Sequence, residues 1–185
     1  MPAHKFHDGY LHFVTATVVD WIDVFTRPAY AHTLIDSLSF CQQEKGLEIY
    51  AYVIMPSHIH MIIGASPGHK LSDIMRDFKQ FTSRKIIRQI HEIPESRRTW
   101  LLDHFEDAAA QNPKVRHFQL WQPGNHPIFC ESRSFTLQKL NYIHMNPVKA
   151  QIVKQPEHYV FSSAADYAGQ RGLLKIKLID FAGRD

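Results

Sequence analysis

Two histidines one residue apart, His58 and His60, interrupt the apolar run "YVIMPSHIHMIIG" that begins at Tyr52. Side chains of a β-strand alternate faces with a period of two, so both imidazoles point one way and Ile59 points into the opposite layer. An unpaired polar group in an apolar layer costs about 1–3 kcal/mol, so that face must be wet or must hold something the rings can satisfy. Residues two apart on a strand lie about 6.5–7 Å apart, a spacing at which both rings can lean onto one divalent cation. Hydrogen bonding of two half-buried histidines to their neighbours is the competing reading. Farther on, "LNYIHMNP" places Tyr142 and Asn146 four residues apart, on one face of a helix and about 6 Å apart along its axis. A phenol with a pKa near 10 is a poor nucleophile unless a base assists it or a cation activates the electrophile.

The elements that position these residues follow from periodicity. "YLHFVTATVVDW" reads as a first strand, and Pro28 opens a helix closed by Gly46. "LEIYAYVIM" and "HIHMIIGA" are two strands joined at Pro56-Ser57. "KLSDIMRDFKQFTSRKIIRQI" is an amphipathic helix with Leu71, Ile74, Met75, Phe78 and Ile86 on one side and Arg76, Lys79, Arg84, Lys85 and Arg88 available elsewhere. The stretch from about 91 to 118 is polar and mixed in charge, with a short inserted helix in "RTWLLDHFEDAAAQNP". "HFQLWQ" reads as a fourth strand, and "SFTLQKLNYIHMN" as a helix stopped or kinked at Asn146-Pro147. Strand, helix, strand, strand, helix, strand is an α+β order. It predicts a ferredoxin-like split βαβ fold, a mostly antiparallel sheet with helices on one face and the other face free for ligands.

Composition sets bounds on function. A chain of 185 residues with 44% hydrophobic content suffices for one globular domain, 1–185, and no repeat or Gly/Ser linker argues for a second. Cys41 and Cys130 form no CxxC pair, which argues against a structural zinc knuckle and for a reducing compartment. No run of about 18 apolar residues occurs, so the expectation is a soluble, cytoplasmic protein. A net charge of +3 permits an anionic partner without requiring one.

The two motifs carry a resemblance. "YVIMPSHIHMII" followed by "LNYIHMNPVKAQIV", with "FKQFTSRK", "LWQPGNHPIF" and "YVFSSAADY", resembles the HUH single-tyrosine transposases, in particular the REP-associated and small insertion-sequence types, over roughly residues 6–167 and most weakly over 91–118. The resemblance implies a ferredoxin-like fold, His58 and His60 as metal ligands, Asn146 as the third ligand, and Tyr142 as the nucleophile. It further implies Mg²⁺ or Mn²⁺ as cofactor and single-stranded, hairpin or palindromic-repeat DNA as partner, cut and rejoined through a 5′-phosphotyrosine by a monomer or a homodimer. Gln151 departs from the pattern, because many relatives carry glycine there. Imidazole ligands also suit zinc, so the donor set leaves metal identity open. The basic helix face of Arg76, Lys79, Arg84, Lys85 and Arg88 either contacts DNA phosphates or is simply solvated. Two further readings compete: a domesticated module that binds a hairpin without cutting it, and a metal-dependent hydrolase that uses water in place of Tyr142.

Overall fold

The computed structural model describes residues 5–7 and 9–180. Its sheet has four strands in the order β2-β3-β1-β4, with every neighbouring pair antiparallel: β1 is His12–Thr17, β2 Leu47–Met55, β3 His58–Ala65 and β4 Ile128–Phe129. The β2–β3 hairpin turns at Pro56-Ser57, as the apolar runs on either side require. Helix α1 (Pro28–Glu44) starts with its proline in the first turn, where no backbone N–H is lost. Gly46 follows it at φ +68°, where a Cβ would meet Ser66 and His69. Helices α2 (Leu71–Glu92) and α3 (Arg98–Ala110) follow, then α4 (Arg133–Lys149) and the single turn α5 (Ala164–Tyr167).

The sheet is covered on both faces. Val14, Ala16, Ile59, Met61 and Ile63 pack with Leu34 and Leu38 of α1, Met75 and Phe78 of α2, and Leu101 and Phe105 of α3. Phe13, Ala51, Val53, Met55 and Ile62 pack on the other face with Leu140 and Ile143 of α4. This corrects the expectation of helices on one face only. Ile62 and Ile63 both need cover because a central strand that is apolar at successive positions has no wet side.

Two other expectations change. Residues 117–122 do not form the fourth strand; they run across the end of β1 with one bridge, Val18 to Trp121, and the strand paired to β1 is the two-residue β4. Gln119, Leu120 and Trp121 are buried, so the apolar signal there marks core packing. Helix α4 also passes through Asn146-Pro147 to Lys149, with the proline inside its last turn. Its N-terminus is capped by Ser132, whose hydroxyl accepts from the Phe135 N–H. The outer edge of β2 is occupied by the chain itself: Ile54 N–H donates to Phe161, Ser163 N–H to Tyr52, and Lys177 N–H to Ile49. No helix among the described residues is long and apolar enough to cross a membrane.

Candidate active site

Strand β3 sends His58, His60 and Ile62 to the face that α4 covers. The antiparallel register sets Thr15 of β1 opposite His60 and Thr17 opposite His58. His60 is only 6% exposed and is stacked on Phe13, with ring centroids 5.4 Å apart. Its Nδ1 lies 2.7 Å from Thr15 Oγ1, and its Nε2 lies 3.4 Å from the Tyr142 hydroxyl. With the proton on Nδ1 donated to Thr15, Nε2 presents its lone pair toward α4. The His58 ring sits edge-on to that of His60, with centroids 4.6 Å apart, and its Nδ1 is 3.1 Å from Ser57 Oγ. Helix α4 therefore brings Tyr142 to the histidine pair across 82 residues of sequence.

Burial favours the neutral form of both rings. Burial pushes the His58 pKa down. For His60, burial first, then His58 and the Lys139 ammonium, lower the value to about 3. Neutral imidazole is the form that binds a cation. Tyr142 is 41% exposed, so part of the residue reaches the surface beside the histidine pair. Lys139, one turn earlier on α4, places Nζ 4.8 Å from the Phe13 centroid, 5.2 Å from Phe135 and 5.8 Å from Tyr142. No carboxylate pairs with it among the described residues.

No three His, Cys, Asp or Glu side chains gather as a metal cluster among the described residues, so a third donor to the pair must be of another type. Asn146 is half-buried, one turn beyond Tyr142 on α4. Two neutral imidazoles with hydroxyl-fixed Nδ1 atoms, together with a carboxamide, fit a divalent cation in donor chemistry.

The basic residues of α2 do not act as one surface. Arg76 is tied to Asp73 and Asp77, and Arg88 to Glu92. Lys79 is turned inward and donates to the Gln122 and Gly124 carbonyls at 2.8 and 2.6 Å, holding the loop before β4. Arg84 and Lys85 have no carboxylate partner among the described residues; the Lys85 ammonium lies 5.9 Å from the Phe81 centroid. Arg84 and Arg88 line a cleft of about 830 Å³ between α2 and residues 114–121, together with Lys114 and Arg116. That cleft is on the α2 side of the sheet, away from Tyr142.

Three neighbours of the site have no motif. Thr15 and Phe13 are recognisable only once the β1–β3 register is known, and Lys139 only once α4 is placed. Trp21 is the fourth addition: it is 60% exposed, and its ring is edge-on to His58 at 5.3 Å. It follows Asp20 in a turn where both residues have left-handed backbones, φ +52° and +56°, a conformation that costs about 1–2 kcal/mol for a residue with a Cβ.

Comparison with known proteins places the chain in a family. Residues 5–118 match the family described as Transposase IS200 like, a stretch that includes His58, His60 and the 91–118 segment and ends before α4. A solved structure of a REP-associated tyrosine transposase bound to a REP hairpin shares the fold, with a TM-score of 0.64 at 20% identity over 98% of this chain and 96% of that one. A second structure, of a candidate transposase from Deinococcus radiodurans R1, aligns with a TM-score of 0.44 at 20% identity over 77% of this chain and 95% of that one. No curated protein sequence matches the chain. The chain belongs to the IS200-like family of HUH single-tyrosine transposases.

Proposed function

We propose that this chain cuts and rejoins single-stranded or hairpin DNA through a 5′-phosphotyrosine on Tyr142. The observation that carries the reading is the Tyr142 hydroxyl, on a residue 41% exposed, 3.4 Å from Nε2 of buried His60. His58, His60 and Asn146 would hold Mg²⁺ or Mn²⁺, which when bound polarises a non-bridging oxygen of the phosphate. The phenol loses its proton to solvent and its oxygen bonds to phosphorus. The bond to the upstream 3′ oxygen breaks and that oxygen takes up a proton. One phosphodiester replaces another, so the reverse attack by a 3′-OH rejoins the strand without ATP.

The REP hairpin in the solved relative supports a hairpin or palindromic repeat as partner here. The strand order β2-β3-β1-β4, all antiparallel, supports a ferredoxin-like split βαβ fold forming one domain over 1–185. Arg84 and Lys85 are the helix cations left to meet DNA phosphates, since Arg76, Lys79 and Arg88 already serve neighbours within the fold. Chain closure of the β2 edge favours a monomer over a homodimer joined at that edge.

The test is to incubate the protein with Mn²⁺ and a hairpin oligonucleotide labelled at its 3′ end, then separate the products under denaturing conditions. Wild type should carry label to a protein-sized band, and Tyr142→Phe should bind the same DNA without forming that band. Label found only on free cleaved DNA would point to hydrolysis by water. Tight binding with no cleavage would point to a domesticated, non-cutting module.

A further inference from the structure

Trp21 is the one exposed tryptophan that touches the histidine pair, and the fold holds it there at a cost. Its neighbours Val19 and Ile22 are buried in the core, 5% exposed each, while the indole between them is turned out to 60% exposure. Backbone hydrogen bonds fix the turn from both sides: Val18 N–H donates to Ser57, Val19 N–H to Leu120, and Ile22 N–H to Val19. The backbones of Asp20 and Trp21 take left-handed conformations within this frame. A single exposed aromatic needs no explanation by itself. An exposed indole in a strained turn, 5.3 Å from the ring of His58, is a different matter because strain of this kind collects where a ligand is held.

We infer that Trp21 is a stacking platform for one unpaired base of the DNA strand, next to the phosphate that meets Tyr142. This rests on the proposed strand-cutting reading and adds a base-binding position to it. The rings of Trp21, His58, His60 and Tyr142 follow one another, with centroid steps of 5.3, 4.6 and 5.1 Å. A strand whose phosphate reaches the Tyr142 hydroxyl across the histidines passes the indole with the nucleotide beside it. Every base has a π-face, so this position binds unpaired nucleotides and rejects paired ones, whose faces are covered by their neighbours. Trp21 thus helps select single-stranded flank over duplex.

The test uses the full chain carrying Tyr142→Phe, which binds without cutting. The probe is a hairpin oligonucleotide with a single-stranded flank, taken from imperfect palindromes beside the chain's own gene, and a set of copies each lacking one base of the flank. Trp21→Ala should weaken binding of the intact probe about 10- to 100-fold, with thermal unfolding unchanged, and Trp21→Phe should recover most of the loss. One abasic position should weaken the Trp21 protein by a similar factor and leave Trp21→Ala binding unaffected. The inference is overturned if Trp21→Ala binds the intact probe as well as its parent. Equal losses at every abasic position in both proteins, or no binding by either, would also overturn it. Failure of the strand-cutting reading would appear separately, as absence of a covalent adduct with Tyr142 restored while the abasic coupling persists.

Discussion

The Tyr142 hydroxyl and Nε2 of His60 lie 3.4 Å apart, while Nδ1 of the same ring lies 2.7 Å from Thr15 Oγ1. His60 is also part of the packing between Phe13 and α4. A histidine on a solvent-facing side would be removable without harm, but this one is 6% exposed. His60→Ala should therefore lower stability by about 1–3 kcal/mol, and His58→Ala, at a half-buried position, by less. Denaturant unfolding of the two variants checks the difference, and equal, negligible losses would contradict it.

Thr15→Val removes the hydroxyl that fixes Nδ1 of His60 while keeping the shape of the side chain. Loss of a partner that orients a metal ligand typically lowers affinity 10–100-fold, so Mn²⁺ binding followed by calorimetry should weaken by about that factor. Unaltered Mn²⁺ affinity would show that the Thr15 contact does not orient the ring.

Lys139 stands among three aromatic rings with no carboxylate partner among the described residues, beside the residue proposed to attack phosphorus. Lys139→Met should keep the packing and remove one cation from the DNA contact. In the Tyr142→Phe protein, the slope of log affinity against log salt for single-stranded DNA should fall by about 0.7. An unchanged slope would leave the ammonium a purely internal role.

Glu95 joins the start of α1 to the segment between α2 and α3. It accepts from Arg27 at 2.8 Å, from the Tyr30 hydroxyl at 3.0 Å and from the Arg97 N–H at 3.0 Å. Burial acts to raise its pKa, but the Arg97 N–H, Arg27 and Tyr30 together hold it below the ordinary value. Burial and then the same carboxylate push the Tyr30 phenol up to about 12. A carboxyl group depressed in the folded state stabilises fully above its unfolded pKa, about 4.3, and loses that contribution as pH falls through the folded value. Acid titration of stability should show this loss in wild type and a flatter curve in Glu95→Gln. Glu95→Ala at neutral pH should cost about 2–3 kcal/mol, measured by urea unfolding.

Gln151 follows α4 with φ +59°, the left-handed conformation in which many helices end on glycine. Gln151→Gly should raise stability by about 0.5–1 kcal/mol, the left-handed cost less the greater freedom of glycine in the unfolded chain. A lower melting temperature would show that the exposed glutamine side chain makes contacts of value.

Much of this arrangement was legible in the sequence because alternation and helical spacing are local. His58 and His60 had to share a face, Pro56-Ser57 had to break the strand, and Leu71 to Ile86 had to form a stripe. The side of the sheet taken by α4 was harder to see. The signal was present in Ile62-Ile63, but consecutive apolar residues on a strand can be read as one thick layer as easily as two. Residues 117–122 misled because buried extended chain and paired strand have the same composition, while β4 is too short to show a period. The cations of α2 were visible, yet Asp77 and Glu92 that tie Arg76 and Arg88, and the carbonyls that hold Lys79, depend on rotamers and on a distant loop. Thr15 joins the site only through the register of β1 against β3, and Trp21 only through the turn that follows β1.

The closing of the β2 edge by residues 161–163, together with delivery of the phenol on α4, gives the chain an order of maturation during synthesis. Residues up to Ala65 supply both histidines and three strands, but neither the proposed nucleophile Tyr142 nor the edge cover is yet made. The N-terminal part of a chain emerges first during synthesis. The residues that cover the β2 edge and the proposed nucleophile both lie in the last quarter of the chain. Completion of the sheet edge and of the proposed site therefore depends on the same late segment.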